Sequence, residues 1–214
     1  MRHLDRSTVA EPACLSGYSP NDDWCALART PEHYTEVVDR LGEIQRQRCA
    51  YCECDLTNES KNPHIEHFEQ RSRVRQKTFV WSNLFWSCSH EERCGKHKDH
   101  VVGSYRPGDL LKPDLDKPRK YLFFTRDGGV GPRPKLDAAE NDRAKETIRV
   151  FALDDRRLVA ERRAVLVAPY SVAQAVAEAE LTDDESRRYL ADEAPNFEGC
   201  AFSAAVLDVL GIEP

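Results

Sequence analysis

The chain has 214 residues and a formal net charge of −6, which excludes a protein that is basic throughout. No apolar run approaches the roughly 18 residues that cross a bilayer, so no membrane contact is expected. The opening residues MRHLDRSTVAEP carry no apolar signal core, which predicts a cytoplasmic protein whose paired cysteines hold metal rather than disulfides. The acidity is local: residues 171–214 hold ten acidic and two basic side chains, leaving residues 1–170 at +2.

Residues 1–28 show little periodicity, and Cys14 and Cys25 among Leu15, Tyr18, Trp24 and Leu27 predict buried thiols in an arm packed on the core. Thr30-Pro31-Glu32 is a helix start, and the apolar spacing of Tyr34, Val37, Val38, Leu41 and Ile44 carries the helix to about Gln47. Cys49-x2-Cys52 and Cys88-x5-Cys94 then bracket Glu66-His67 and Asn83. Two short-spaced thiol pairs predict a four-cysteine zinc site, with Cys54 able to replace either member of the first pair.

Residues 63–68 alternate like a short strand, residues 83–86 either open a second strand or run into the second cysteine pair, and residues 95–100 begin a short helix. Within this core His67 has the chemistry of a general base and Glu66 that of a hard oxygen ligand for Mg²⁺ or Mn²⁺. Adjacent strand residues point to opposite faces, so a bulge or an ion at the strand end is needed to join them. Asn83 is expected to tie the following loop to His67, and the second ligand of the catalytic ion is His97 or Asp99. Arg71, Arg73, Arg75 and Lys77 crowd one loop without an acid and are candidate phosphate contacts. Trp81, Phe85 and Trp86 read as core packing ahead of base stacking. Residues 120–125 predict a strand turned back by Asp127-Gly128-Gly129. Residues 138–151, 158–180 (interrupted near Pro169), a capping box at Thr182-x-x-Glu185 and residues 201–210 predict helices.

Gln45-x3-Cys49-Ala50-Tyr51-Cys52-Glu53, Ile65-Glu66-His67-Phe68, Phe79-x-Trp81-x-Asn83-Leu84 and Cys94-Gly95-x2-Lys98-Asp99 resemble the HNH endonucleases. More narrowly they resemble the PtuB family, the HNH subunits of Septu anti-phage systems and of certain retrons. The resemblance is strong over residues 40–100 and weaker beyond. It implies an α+β fold with a ββα-metal core and a four-cysteine zinc site, flanked by N-terminal and C-terminal helices. The organisation expected is an arm and helix over 1–48, the nuclease core over 49–104, and a strand hairpin with helices over 105–214.

The resemblance further implies His67 as base, Glu66 and a residue after Cys94 as ligands of a catalytic Mg²⁺ or Mn²⁺, and Cys49, Cys52, Cys88 and Cys94 on Zn²⁺. Asn83 joins the catalytic candidates and Lys98 the candidate nucleic-acid contacts. Gly95 departs from the histidine or asparagine that many HNH enzymes carry after the last cysteine. The partners implied are nucleic acid (DNA ahead of RNA or tRNA), a PtuA-like ATPase of the ABC and SMC type, and a retron reverse transcriptase with its non-coding DNA or RNA. The competing expectation is a zinc module without nuclease chemistry, which binds nucleic acid or scaffolds the ATPase.

Overall fold

The computed structural model describes residues 1–57, 63–197 and 199–214. A five-residue helix, α1 (Trp24–Ala28), leads into α2 (Pro31–Gln45), whose Val37, Leu41 and Ile44 are buried. Helix α2 stops short of Gln47 because Arg46 and Gln47 both turn left-handed, and the Gln47 amide closes on the Gly42 carbonyl at 2.9 Å. The last helical residue, Gln45, is buried. Its amide donates to the carbonyls of Arg48 (2.7 Å) and Trp86 (2.8 Å) and accepts from the Trp86 amide (2.8 Å), clamping the first cysteine pair to the strand that precedes the second.

β1 (His64–His67) pairs antiparallel with β2 (Leu84–Ser87), with Glu66 opposite Phe85 and His67 opposite Leu84. The register runs through all four pairs without a bulge. α3 (Cys94–His100) follows. A second antiparallel hairpin joins β3 (Leu122–Phe124) to β4 (Val130–Pro132). Its turn requires Gly128: φ is +89°, and a Cβ there would lie 2.2 Å from the Val159 carbonyl oxygen.

α4 (Ala138–Phe151) opens on a complete capping box, Asp137 with Glu140. α5 (Arg156–Glu178) runs through Pro169 rather than breaking there. A proline removes one helical hydrogen bond, and this one is buried on a helix that packs against both α6 (Asp183–Glu193) and α7 (Ser203–Val209), whose contacts hold the segment helical. The capping box of Thr182 and Glu185 forms as expected.

The core is continuous from the cysteine pairs through Phe85 and Tyr51 to Phe151, with the Tyr51 and Phe151 rings stacked at 4.0 Å. Trp81, Phe85 and Trp86 are all buried, so they pack and do not present a face to a base. Cys14 is half-buried, whereas Cys25 is exposed, against expectation: α1 is so short that only Leu27 reaches the core.

Candidate active site

The Sγ atoms of Cys49, Cys52, Cys88 and Cys94 lie within 4.8 Å of one another, all buried, and Cys52 and Cys88 are 4.0 Å apart. Four thiolates about 2.3 Å from one tetrahedral ion stand about 3.8 Å from each other, so the cluster has the dimensions of a metal site. Cys54 is also buried but is not part of that group; its carbonyl accepts from the Cys49 amide and shapes the turn. Arg93 lies fully buried beside the cluster and pairs with Glu161 at 3.1 Å. Burial works against its charge, but the neighbouring sulfurs of Cys52, Cys88 and Cys94 and the Glu161 carboxylate raise its pKa. A guanidinium here would offset the excess negative charge of four thiolates if they hold one divalent ion.

Glu66 and His67 leave β1 on opposite sides. The Glu66 carboxylate is buried between the hairpin and α3: one oxygen accepts from the Tyr51 hydroxyl and the other meets the Lys98 ammonium at 2.7 Å. Lys98 also reaches the Asp99 carboxylate, the His67 carbonyl (3.0 Å) and the Tyr105 hydroxyl (3.3 Å). Lys98 is therefore a buried clamp and not a solvent-facing phosphate contact, because two carboxylates draw it inward. Burial opposes its charge, but Glu66 and then Asp99 hold its pKa up. Burial pushes Glu66 above the usual carboxylate range while Lys98 pulls the other way. Gly95 accommodates the arrangement: a Cβ there would lie 2.3 Å from the Glu66 Cγ.

His67 Nε2 lies 2.9 Å from the Thr78 carbonyl oxygen. A carbonyl only accepts, so Nε2 carries the proton and the neutral ring keeps its lone pair on Nδ1. The ring is buried against Trp24, edge to face at 4.4 Å, and burial pushes its pKa down to about 4. Asn83 holds the loop as expected but acts on its backbone: its oxygen accepts from the Glu69 amide (2.8 Å) and its nitrogen donates to the carbonyls of Glu69 and Lys77, 3.0 Å each. Thr78, which fixes the His67 ring, follows directly.

The two candidates for a second ion ligand separate. His97 Nδ1 turns to the Val150 carbonyl on α4 (3.0 Å). Asp99 shares Lys98 with Glu66 and accepts from the Gln70 amide at 2.9 Å. Glu66 and Asp99 thus converge on the Lys98 ammonium, which makes their carboxylates the hard oxygen donors of this pocket.

A cleft of about 900 Å³ opens beside this group, with Trp24, Arg71, Arg75 and Asp99 among its walls. Arg71 lies over the Trp24 ring at 5.8 Å. Arg73 donates to the carbonyls of Gly103 and Tyr105, Arg75 to those of Pro20 and Asn21, and Lys77 pairs with Glu69. Trp24, Gln70 and Thr78 escaped sequence reasoning. Trp24 sits in an arm without a motif, and Thr78 contributes only a backbone carbonyl. Tyr51, between the first two cysteines, left a signal in the motif.

No family model matches the chain. Over 82 residues it is 32% identical to the Septu protein PtuB of Bacillus thuringiensis, covering 38% of this chain and 30% of that one. The likeness to PtuB is real. Over 133 residues the chain is 28% identical to the protein assigned as the HNH endonuclease of retron Vc95 of Vibrio cholerae serotype O1 biovar El Tor, covering 59% of this chain and 62% of its relative. The chain thus spans less than two thirds of the length of each. The resemblance to PtuB and HNH proteins that the motifs predicted is borne out at modest identity. Among the described residues no helix is long and apolar enough to cross a membrane.

Proposed function

We propose that the chain is an HNH endonuclease that hydrolyses phosphodiester bonds of nucleic acid, DNA ahead of RNA, as a cytoplasmic effector in anti-phage defence. The observation that carries this reading is the ring of His67, with Nε2–H donated to Thr78 and the lone pair on Nδ1, on a hairpin packed against the Glu66–Lys98–Asp99 group. His67 takes the proton of the attacking water at Nδ1, and Thr78 and Asn83 hold the ring and its loop for that transfer. Glu66 and Asp99 would hold Mg²⁺ or Mn²⁺, whose chemistry is to offset charge on the phosphoryl oxygens and leaving group. The four cysteines would hold Zn²⁺ as a fold-stabilising ion. Arg71 and Arg75 line the cleft and would meet phosphates, with Arg73 and Lys77 on the same loop. The relatives' defence systems support a PtuA-like ATPase as partner and, in a retron setting, a reverse transcriptase with its non-coding DNA or RNA.

One feature favours the alternative of an inactive zinc module: both Glu66 oxygens are engaged within the protein, by Tyr51 and Lys98. A cleavage assay separates the two. Zinc-loaded wild type and His67→Ala are run on plasmid DNA and tRNA with Mg²⁺, with Mn²⁺ or with neither ion added, with and without the ATPase. Cleavage that needs the divalent ion and drops at least about 10²-fold in His67→Ala supports the nuclease. Cleavage that survives the substitution removes His67 as base. A folded, zinc-loaded protein inert under every condition leaves the binding module.

A further inference from the structure

The N-terminal arm crosses the mouth of the proposed active site, and its chemistry is that of a competitor for nucleic acid. Trp24 lies edge to face on the His67 ring at 4.4 Å, leaving His67 5% exposed. The carbonyls of Pro20 and Asn21 occupy the Arg75 guanidinium at 3.0 and 2.8 Å. Asp22 and Asp23 line the same cleft as Arg71 and Arg75, where a phosphate backbone would bring its own negative charge. Each thing an incoming strand needs here is already matched by the arm: carbonyl oxygens hold Arg75, two carboxylates share the cleft wall with the arginines, and an aromatic ring covers the base.

The arm is also built to lift. Leu15 and Leu27 are buried anchors, but no residue between them is buried; Tyr18, Trp24 and Ala26 are half-covered and the others exposed. Segments with so little burial open at small cost compared with global unfolding. Tyr18 stacks on Phe79 at 4.7 Å and hydrogen-bonds His33, which gives the closed arm a defined seat.

We propose that residues 16–26 form an autoinhibitory strap that occupies the phosphate-binding cleft and covers His67, and that nucleic acid must displace it. The strap rests on the reading of His67 and its cleft as a nuclease site, but it makes predictions that do not need cleavage. Asp22→Asn with Asp23→Asn removes the mimicking charge while asparagine keeps the helix cap that Asp23 supplies to the Cys25 amide. Trp24→Ala removes the cover.

Affinity for a fluorescent oligonucleotide is measured by anisotropy in a zinc-loaded His67→Ala background with no Mg²⁺ or Mn²⁺ added. It should rise roughly threefold per acid removed, about tenfold for the pair, with the gain shrinking at high salt. Carbethoxylation of His67, followed by mass spectrometry in the zinc-loaded full chain, should speed up several-fold in Trp24→Ala. Unchanged or weaker binding by the aspartate double variant overturns the strap, as does unchanged labelling of His67 in a folded Trp24→Ala protein. If binding and labelling both rise but no variant cleaves any substrate, the strap stands and the nuclease reading falls. If wild type cleaves and the aspartate variant binds less, the nuclease stands and the strap falls.

Discussion

Gly95 is where backbone and site chemistry meet. Any side chain there must displace the Glu66 carboxylate, whose Cγ would be 2.3 Å from the new Cβ. Gly95→Ala is therefore expected to cost about 1–3 kcal/mol, read as a lower melting temperature, and to move Glu66 away from Lys98. Pairing it with Glu66→Ala should relieve the clash, so the double variant loses less than the sum of the singles; additive losses would show that the two positions do not interact. Lys98→Met tests the same pocket from the other side. It strands two carboxylates, one of them fully buried, and should destabilise by about 3–5 kcal/mol. His67 gives a pH signature. The unfolded chain binds a proton near the ordinary 6.5 that the folded ring takes up only near 4. The neutral ring's advantage is present in full above pH 6.5 and is lost as pH falls toward 4, by up to about 3 kcal/mol. The gap in melting temperature between pH 7.5 and pH 4.5 should therefore be smaller in His67→Asn than in wild type; an equal gap removes His67 from the acid response.

At the scale of elements, the short stretches that carry chemistry depend on tethers that no local pattern announces. The helix expected over 138–151 matches α4 to the residue, and the box at Thr182 was equally legible, because helix signals are local. The β1–β2 hairpin was harder: its strands are four residues each and buried on both faces, so alternation carries little information. Pro169 misled because tertiary contacts override a single missing helical bond. The cysteine group was readable from spacing. The partners of His97 and Asp99 were not, since they depend on which face of α3 meets α4. Asn83 shows what the tether is worth. Its three backbone hydrogen bonds hold residues 69 and 77 together, so Asn83→Ala leaves buried partners unsatisfied. A loss of about 2–4 kcal/mol is expected, together with faster amide exchange confined to residues 69–78; exchange that is uniform across the chain would mean that the loop has no separate latch.

Across the whole molecule, the cysteine group is bolted to the C-terminal helices on two sides. Glu53, just past the first cysteine pair, accepts from the Ser203 hydroxyl (2.9 Å) and the Ala204 amide (3.1 Å) at the start of α7, and it pairs with the Met1 amine at 2.6 Å. Arg93, just before the last cysteine, reaches Glu161 on α5. On the far side of α7, Asp208 accepts from Arg119, Arg133 and the Phe124 amide, so the β3–β4 hairpin is tied into the same block. Buried charge pairs of this kind hold only while both partners stay in place. Stripping the metal with a chelator lets the two cysteine turns separate and moves Glu53 and Arg93 away from their partners on α7 and α5. The expected result is a cooperative loss of helical circular dichroism well beyond the seven residues of α3, with one melting transition shifted to lower temperature. If the metal-free protein instead keeps the signal of α4 to α7 and melts in two steps, the C-terminal half is a separate folding unit and these ion pairs only decorate its boundary.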